Sequence, residues 1–206
     1  MKKNNSIRNL VITAIFAGIS AVLMYIQIGL PILPAFLKFD FSDFPALIVS
    51  FAVSPWHGAL VCLLKNLLHL FTTTTVGVGE LNNFVIAALF VVPAGLVYHR
   101  NKTRRTALIG AVTGTVTSGI LSVIYNYFIG YPLFSMALGI PMAGIVGMYS
   151  IILPSADTLW EALLIFNLPL TVVKGLVATG ITMLVYKRIS PWLKGGKTLS
   201  TQITSK

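Results

Sequence analysis

The chain has 206 residues, of which 56% are hydrophobic and 10% charged, with a mean hydropathy of +0.87. A soluble globular domain carries roughly a quarter charged residues, so this composition excludes one and points to a multi-spanning membrane protein. The net charge of +10 is not a nucleic-acid signal: 12 of the 15 basic residues fall at the chain ends or in alternate connections between apolar stretches, and all five acids fall in the other connections.

The first apolar stretch, 7–30, follows Lys2, Lys3 and Arg8. It is longer than the roughly 7–15-residue core of a signal peptide and reads as an uncleaved first span. It carries small residues at Ala14 and Gly18 and at Ala17 and Ala21. Such spacings let a second helix approach closely.

From Phe44 to Phe71 the chain is almost continuously apolar, broken only by Ser54-Pro55. Topology requires that break to separate two spans, 44–53 and 55–71. With the start of the chain inside, the connection 31–43 is outside and the basic loop around Arg100, Lys102, Arg104 and Arg105 is inside, which demands an odd number of crossings between them. The second span is then only ~15 Å long as a helix. Further spans are read at 81–98, 106–128 and 162–186. The segment 129–160, with Pro132, Pro141 and Pro154 and four glycines, is read as a folded outer lid with a short helix at the membrane surface. The ends, before Ser6 and after Lys194, are read as frayed. The fold class expected is an all-α membrane protein of one domain, with six transmembrane helices and both termini cytoplasmic. Such a chain leaves no room for an ATP-binding domain, and the single Cys62 allows no intramolecular disulfide.

Polar side chains in apolar helices normally face an interior or a cavity. Asn167, Thr171 and Lys174 lie on one helical stripe, as do Ser118, Ser122 and Asn126, with Tyr125 beside them. Glu80 and Asn83 are one turn apart, as are Lys65 and His69. The Ser118/Ser122 pair and His69 read more simply as packing groups, and Lys65 as a partner for Glu80. Asn126, Asn167 and Glu80 all lie near the outer ends of their spans, so these groups converge on an outward-facing cavity. No HExxH, GxSxG, Walker A or metal-ligand pattern is present. No catalytic residue and no metal site are assigned.

The stretch FLKFDFSDFPALIVSFAVSPWHGALVCLLKNLLHL, followed by GVGELNNF, YNYF and PLTVVKG, resembles the substrate-binding S components of energy-coupling-factor (ECF) vitamin transporters, and most of all the riboflavin-specific ones. The resemblance runs from Ile7 to about Arg188. It implies a riboflavin site near the outer surface, capped by the loop between the first two helices, with FMN or FAD as further candidates and no resident cofactor. The site residues it implies are Phe36, Leu37, Lys38, Asp40, Glu80, Asn83, Tyr125, Asn126, Asn167, Thr171 and Lys174, with Phe41 as a further ring neighbour. It also implies that Ala14, Ala17, Gly18 and Ala21 dock on a transmembrane coupling subunit driven by two ATPase subunits, in a bacterial cell membrane. Similar proteins read PFNxxKG where this chain reads Pro169-Leu170-Thr171-Val172-Val173-Lys174-Gly175, so Thr171 stands at the asparagine position and Asn167 one turn earlier. The alternatives are an S component for another small vitamin and an intramembrane enzyme acting on a lipid.

Overall fold

A computed structural model describes residues 2–34 and 36–193. It is almost entirely helical. The order is α1 (Lys2–Tyr25), β1 (Ile28–Gly29), β2 (Lys38–Phe39), α2 (Asp43–Ala52), α3 (Pro55–His69), α4 (Val78–Asn101), α5 (Arg104–Tyr125), α6 (Tyr131–Leu138), α7 (Met142–Ser150), α8 (Leu159–Ala162) and α9 (Leu168–Leu193). Single π-helical turns at Asn126–Gly130 and Leu163–Asn167 join α5 to α6 and α8 to α9. The strands form a two-residue antiparallel ribbon that ties the ends of the α1–α2 connection together.

Among the described residues, four helical runs are long and apolar enough to cross a membrane: Ser6–Tyr25, Val78–Asn101, Arg104–Leu138 and Leu159–Val185. At ten and fifteen residues, α2 and α3 are shorter than a bilayer core requires. The break between them falls at Ser54-Pro55, as expected. Ser54 caps α3 by accepting from the His57 backbone N–H at 3.3 Å, and Pro55 takes the first helical position, where a missing N–H costs nothing.

Several boundaries differ from the sequence reading. The first helix starts at Lys2, so residues 2–5 are helical, and it stops at Tyr25, before Ile28–Gly29 is drawn into the ribbon. The end after Lys194 lies outside the described residues. The fourth helix is longer at both ends than 81–98. At its far end Lys102 takes a left-handed conformation (φ 45°) that closes the helix, and Thr103 opens α5 with a reciprocal capping box to Thr106. The fifth run continues past Phe128 to Leu138, because the π-turn keeps the backbone helical. The segment 129–160 holds two helices, α6 and α7, reversed at Gly139 (φ 65°), where a residue without a side chain avoids strain.

Two apolar clusters form. One joins α1 to α5 through residues such as Ala46, Phe51, Phe90, Ala94 and Tyr98. The other, around Tyr131, Ile145, Tyr149 and Phe166, packs the α6–α7 hairpin on the start of the last helical run, with Phe36 of the α1–α2 connection against it.

Candidate functional site

Between the two clusters lies a cavity of about 720 Å³, within the range of small-molecule sites. Its walls hold most of the residues singled out in the sequence. The α1–α2 connection contributes Phe36, Leu37, Lys38 and Asp40; α4 contributes Glu80 and Asn83; the first π-turn contributes Asn126; and the last helical run contributes Asn167, Thr171 and Lys174. Stripes read from helical spacing in separate segments thus meet around one space. Tyr125 and Phe41 do not line it. The Tyr125 hydroxyl instead donates to Asn82 Oδ1 at 3.0 Å, and Phe41 packs edge-on against Phe39.

The floor is a charge network. Lys174 Nζ donates to Asp40 Oδ2 at 3.0 Å and lies 3.9 Å from Asp43 Oδ2. Lys65, fully buried, donates to Asp43 Oδ1 at 2.5 Å and to Ser42 Oγ at 2.6 Å. Two lysines and two aspartates neutralise one another, which is what permits charge at this depth. Asp40 Oδ1 also accepts from the Ser42 backbone N–H and hydroxyl. Burial alone would raise the Asp40 carboxyl, but Lys174, Lys65 and the Ser42 hydrogen bonds together hold it well below the usual carboxylate range. The pairing of Lys65 with Glu80 is therefore incorrect: Asp43, the first residue of α2, takes Lys65. Glu80 instead receives Thr73 Oγ1 at 2.8 Å and Thr75 Oγ1 at 3.2 Å, and lies 2.9 Å from His69 Nδ1. His69 lines the cavity too.

The remaining polar groups divide into engaged and unengaged. The Thr171 hydroxyl donates to the Asn167 carbonyl at 2.8 Å within its own helix. Ser118 and Ser122 bond in the same way to the Thr115 and Gly119 carbonyls, and Ser118 also lines the cavity. The Asn167 carboxamide is held by Tyr131 and Tyr149. By contrast, Asn126 is 3% exposed, and its side chain makes no hydrogen bond to any described residue. The π-turn brings it against Gly130, where a Cβ would stand 2.5 Å from Asn126 Oδ1. Its amide opens on the cavity, where a ligand can pair with it. π-turns recur at functional sites because they re-aim side chains in this way.

Sequence reading missed Tyr131, Asn82 and Gln27 as lining residues. Tyr131 sits in an apolar run with no polar periodicity, so nothing local marks it. Asn82 adjoins the predicted Asn83 but lies on a different face.

The proposed docking face of α1 divides. Ala17 and Ala21 are 2% and 6% exposed and pack inside the bundle, so they do not belong to an outward surface. Ala14 is exposed, and a Cβ at Gly18 would meet nothing within 4 Å.

These features define a membrane-embedded, chiefly apolar helical bundle around a small-molecule cavity. The family model for the substrate-specific component of ECF transporters matches residues 8–186, and the chain belongs to that family. It is a transporter component, not an enzyme. The chain is 29% identical over 187 residues to the riboflavin transporter RibU of Staphylococcus aureus (strain TCH60), covering 91% of this chain and 93% of that protein. It is 28% identical over 191 residues to the riboflavin transporter FmnP of Bacillus subtilis (strain 168), covering 91% and 95%. A match of 32% identity over 149 residues to RibU of Streptococcus thermophilus covers 69% of each chain. A solved structure described as "Structure and mechanism of the S component of a bacterial ECF transporter" superposes with a TM-score of 0.71 at 28% identity, covering 92% of this chain and 99% of that one.

Proposed function

We propose that this chain is the substrate-binding membrane subunit for riboflavin uptake by an ATP-driven ECF transporter, and that the cavity between the two apolar clusters is its vitamin site. The observation that carries this is Asn126: an amide that bonds to no described side chain and opens on a cavity of about 720 Å³. An isoalloxazine ring presents two carbonyl acceptors and an N–H donor on one edge, which a carboxamide matches in both senses. Phe36 and Leu37 supply apolar surface for the ring, and Lys174, which donates to Asp40, has further N–H groups to offer the ligand. The names of the relatives support riboflavin over another vitamin.

The reading extends to topology and partners. Six helices span or insert in the bacterial cell membrane with both termini cytoplasmic, the short α2 and α3 being shielded by their neighbours. The exposed Ala14 and Gly18 face of α1 docks on a transmembrane coupling subunit, and two ATPase subunits supply the energy. FMN and FAD compete where the cavity mouth admits their tails.

The test is the visible absorption spectrum of protein purified in detergent, followed by titration with riboflavin, FMN and FAD read by quenching of flavin fluorescence. A flavin spectrum and saturable binding are expected. A colourless protein that quenches none of the three would overturn the riboflavin reading.

A further inference from the structure

Asn167 is not an isolated polar group. Tyr149 Oη donates to Asn167 Oδ1 at 2.8 Å, Asn167 Nδ2 donates to Tyr131 Oη at 2.9 Å, and the two tyrosine hydroxyls are hydrogen-bonded to each other. The three groups close a ring in which each hydroxyl donates once and accepts once. The ring also closes with all three bonds reversed, so it fixes the plane of the amide and allows its donor and acceptor ends to exchange. In either sense it consumes one N–H and one oxygen lone pair of Asn167, leaving one of each. The three residues come from different elements: Tyr131 opens α6, Tyr149 lies in α7, and Asn167 ends the second π-turn. Phe36 packs edge-on against both tyrosine rings, with centroids 6.2 and 5.7 Å away. Tyr131 and Asn167 line the cavity. Tyr149 is fully buried and does not.

We infer that Tyr149, with Tyr131, is a positioning residue: it holds the Asn167 carboxamide in one plane so that its remaining N–H and lone pair meet the ligand edge-on. The inference rests on the reading of the cavity as a flavin site. It also gives the α6–α7 hairpin a role in recognition, since neither tyrosine is on the helix that carries Asn167.

The experiment is a double-mutant cycle in riboflavin affinity, on the full chain in detergent, with Tyr149→Phe, Asn167→Leu and the two combined. If Tyr149 acts only through Asn167, Tyr149→Phe weakens binding about tenfold in the wild-type background and not at all once Asn167 is leucine. The ligand-free melting temperatures are recorded alongside, and the affinity loss is expected to be absent in the Asn167→Leu background whatever their change. Wild-type affinity in Tyr149→Phe, or a combined loss equal to the product of the single losses, would overturn the inference while leaving the flavin reading intact. No riboflavin binding by the wild type would overturn both. Should Tyr149→Phe not yield folded protein, Tyr131→Phe carries the same cycle with the same two outcomes.

Discussion

The two halves of this bundle are built on opposite rules. Where α2 and α3 meet the far end of α4 and the start of α5, small residues let backbones touch: a Cβ on Gly110 would stand 2.5 Å from the Ala94 carbonyl oxygen, and one on Gly58 2.6 Å from the Ser50 Cβ. The polar groups there are spent on the backbone, as with Ser50 Oγ donating to the Val91 carbonyl at 2.7 Å. Around the cavity, helices are held apart by long side chains, two π-turns and a ribbon, and buried ions and amides line the space. The close-packed half gains its stability from dispersion and complementarity. The cavity half keeps its buried ions mutually paired and leaves the Asn126 amide open to the space, where a ligand can engage it. The difference separates residues whose loss unfolds the chain from residues whose loss empties the site.

Substitutions test that separation. The largest expected effect is from Lys65→Met, which strands Asp43 in the charge network. Breaking a buried pair from one side costs about 3–5 kcal/mol, so the melting temperature of ligand-free protein should collapse. Retention of wild-type stability would mean that the network carries no structural weight. Next comes Gly110→Leu, which forces α4 and α5 apart. Overpacking at about 3 kcal/mol is expected to lower the melting temperature with riboflavin affinity retained in the protein that survives. Ala17→Leu should behave similarly, because Ala17 is interior, whereas Gly18→Leu should leave stability unchanged; equal melts for the two would contradict the division of the α1 face.

On the cavity side the order of effects inverts. Asn126→Ala removes a group that bonds to no described side chain, so stability should hold or rise slightly while riboflavin affinity falls by about 1–2 kcal/mol. A destabilised protein with intact affinity would place Asn126 with the packing residues instead. Thr171→Val should change either property by less than about 0.5 kcal/mol, since its hydroxyl is spent within its own helix. The smallest effect is of pH. A carboxyl lowered in the folded chain contributes stability that is complete above its unfolded pKa of about 4 and is lost only as pH falls through the lower folded value. The melting-temperature difference between wild type and Asp40→Asn should therefore be the same at pH 7 and pH 5. Shrinkage over that range would show that Lys174 and Lys65 do not hold Asp40 ionised.

Much of this was legible in the chain because its signals are periodic. The stripe Asn167–Thr171–Lys174 and the stripe ending at Asn126 carry their own geometry, and Pro55 after Ser54 suits the first turn of α3. Partner choice was not legible. Lys65 lies nearer in sequence to Glu80 than to Asp43, and only the packing of α2 against α3 gives it to Asp43. Tyr125, beside the Ser118–Asn126 stripe, turns its hydroxyl to Asn82 instead of the cavity, a partner its own spacing does not show. Tyr131 and Tyr149 escaped notice because a tyrosine in an apolar run looks the same whether its hydroxyl is idle or closes a ring. The small residues of α1 were read as one surface, yet Ala17 and Ala21 lie on the face turned to the bundle, and spacing alone does not say which neighbour a small residue admits.

The most direct test of the whole account is a pair of riboflavin titrations, wild type and Asn126→Ala, each with its ligand-free melt. The account predicts tight saturable quenching by the wild type, an isotherm shifted at least fivefold weaker in Asn126→Ala, and melts that coincide. Identical isotherms, or a weaker one accompanied by a matching loss of stability, would contradict the claim that this cavity is the site and that Asn126 serves the ligand and not the fold.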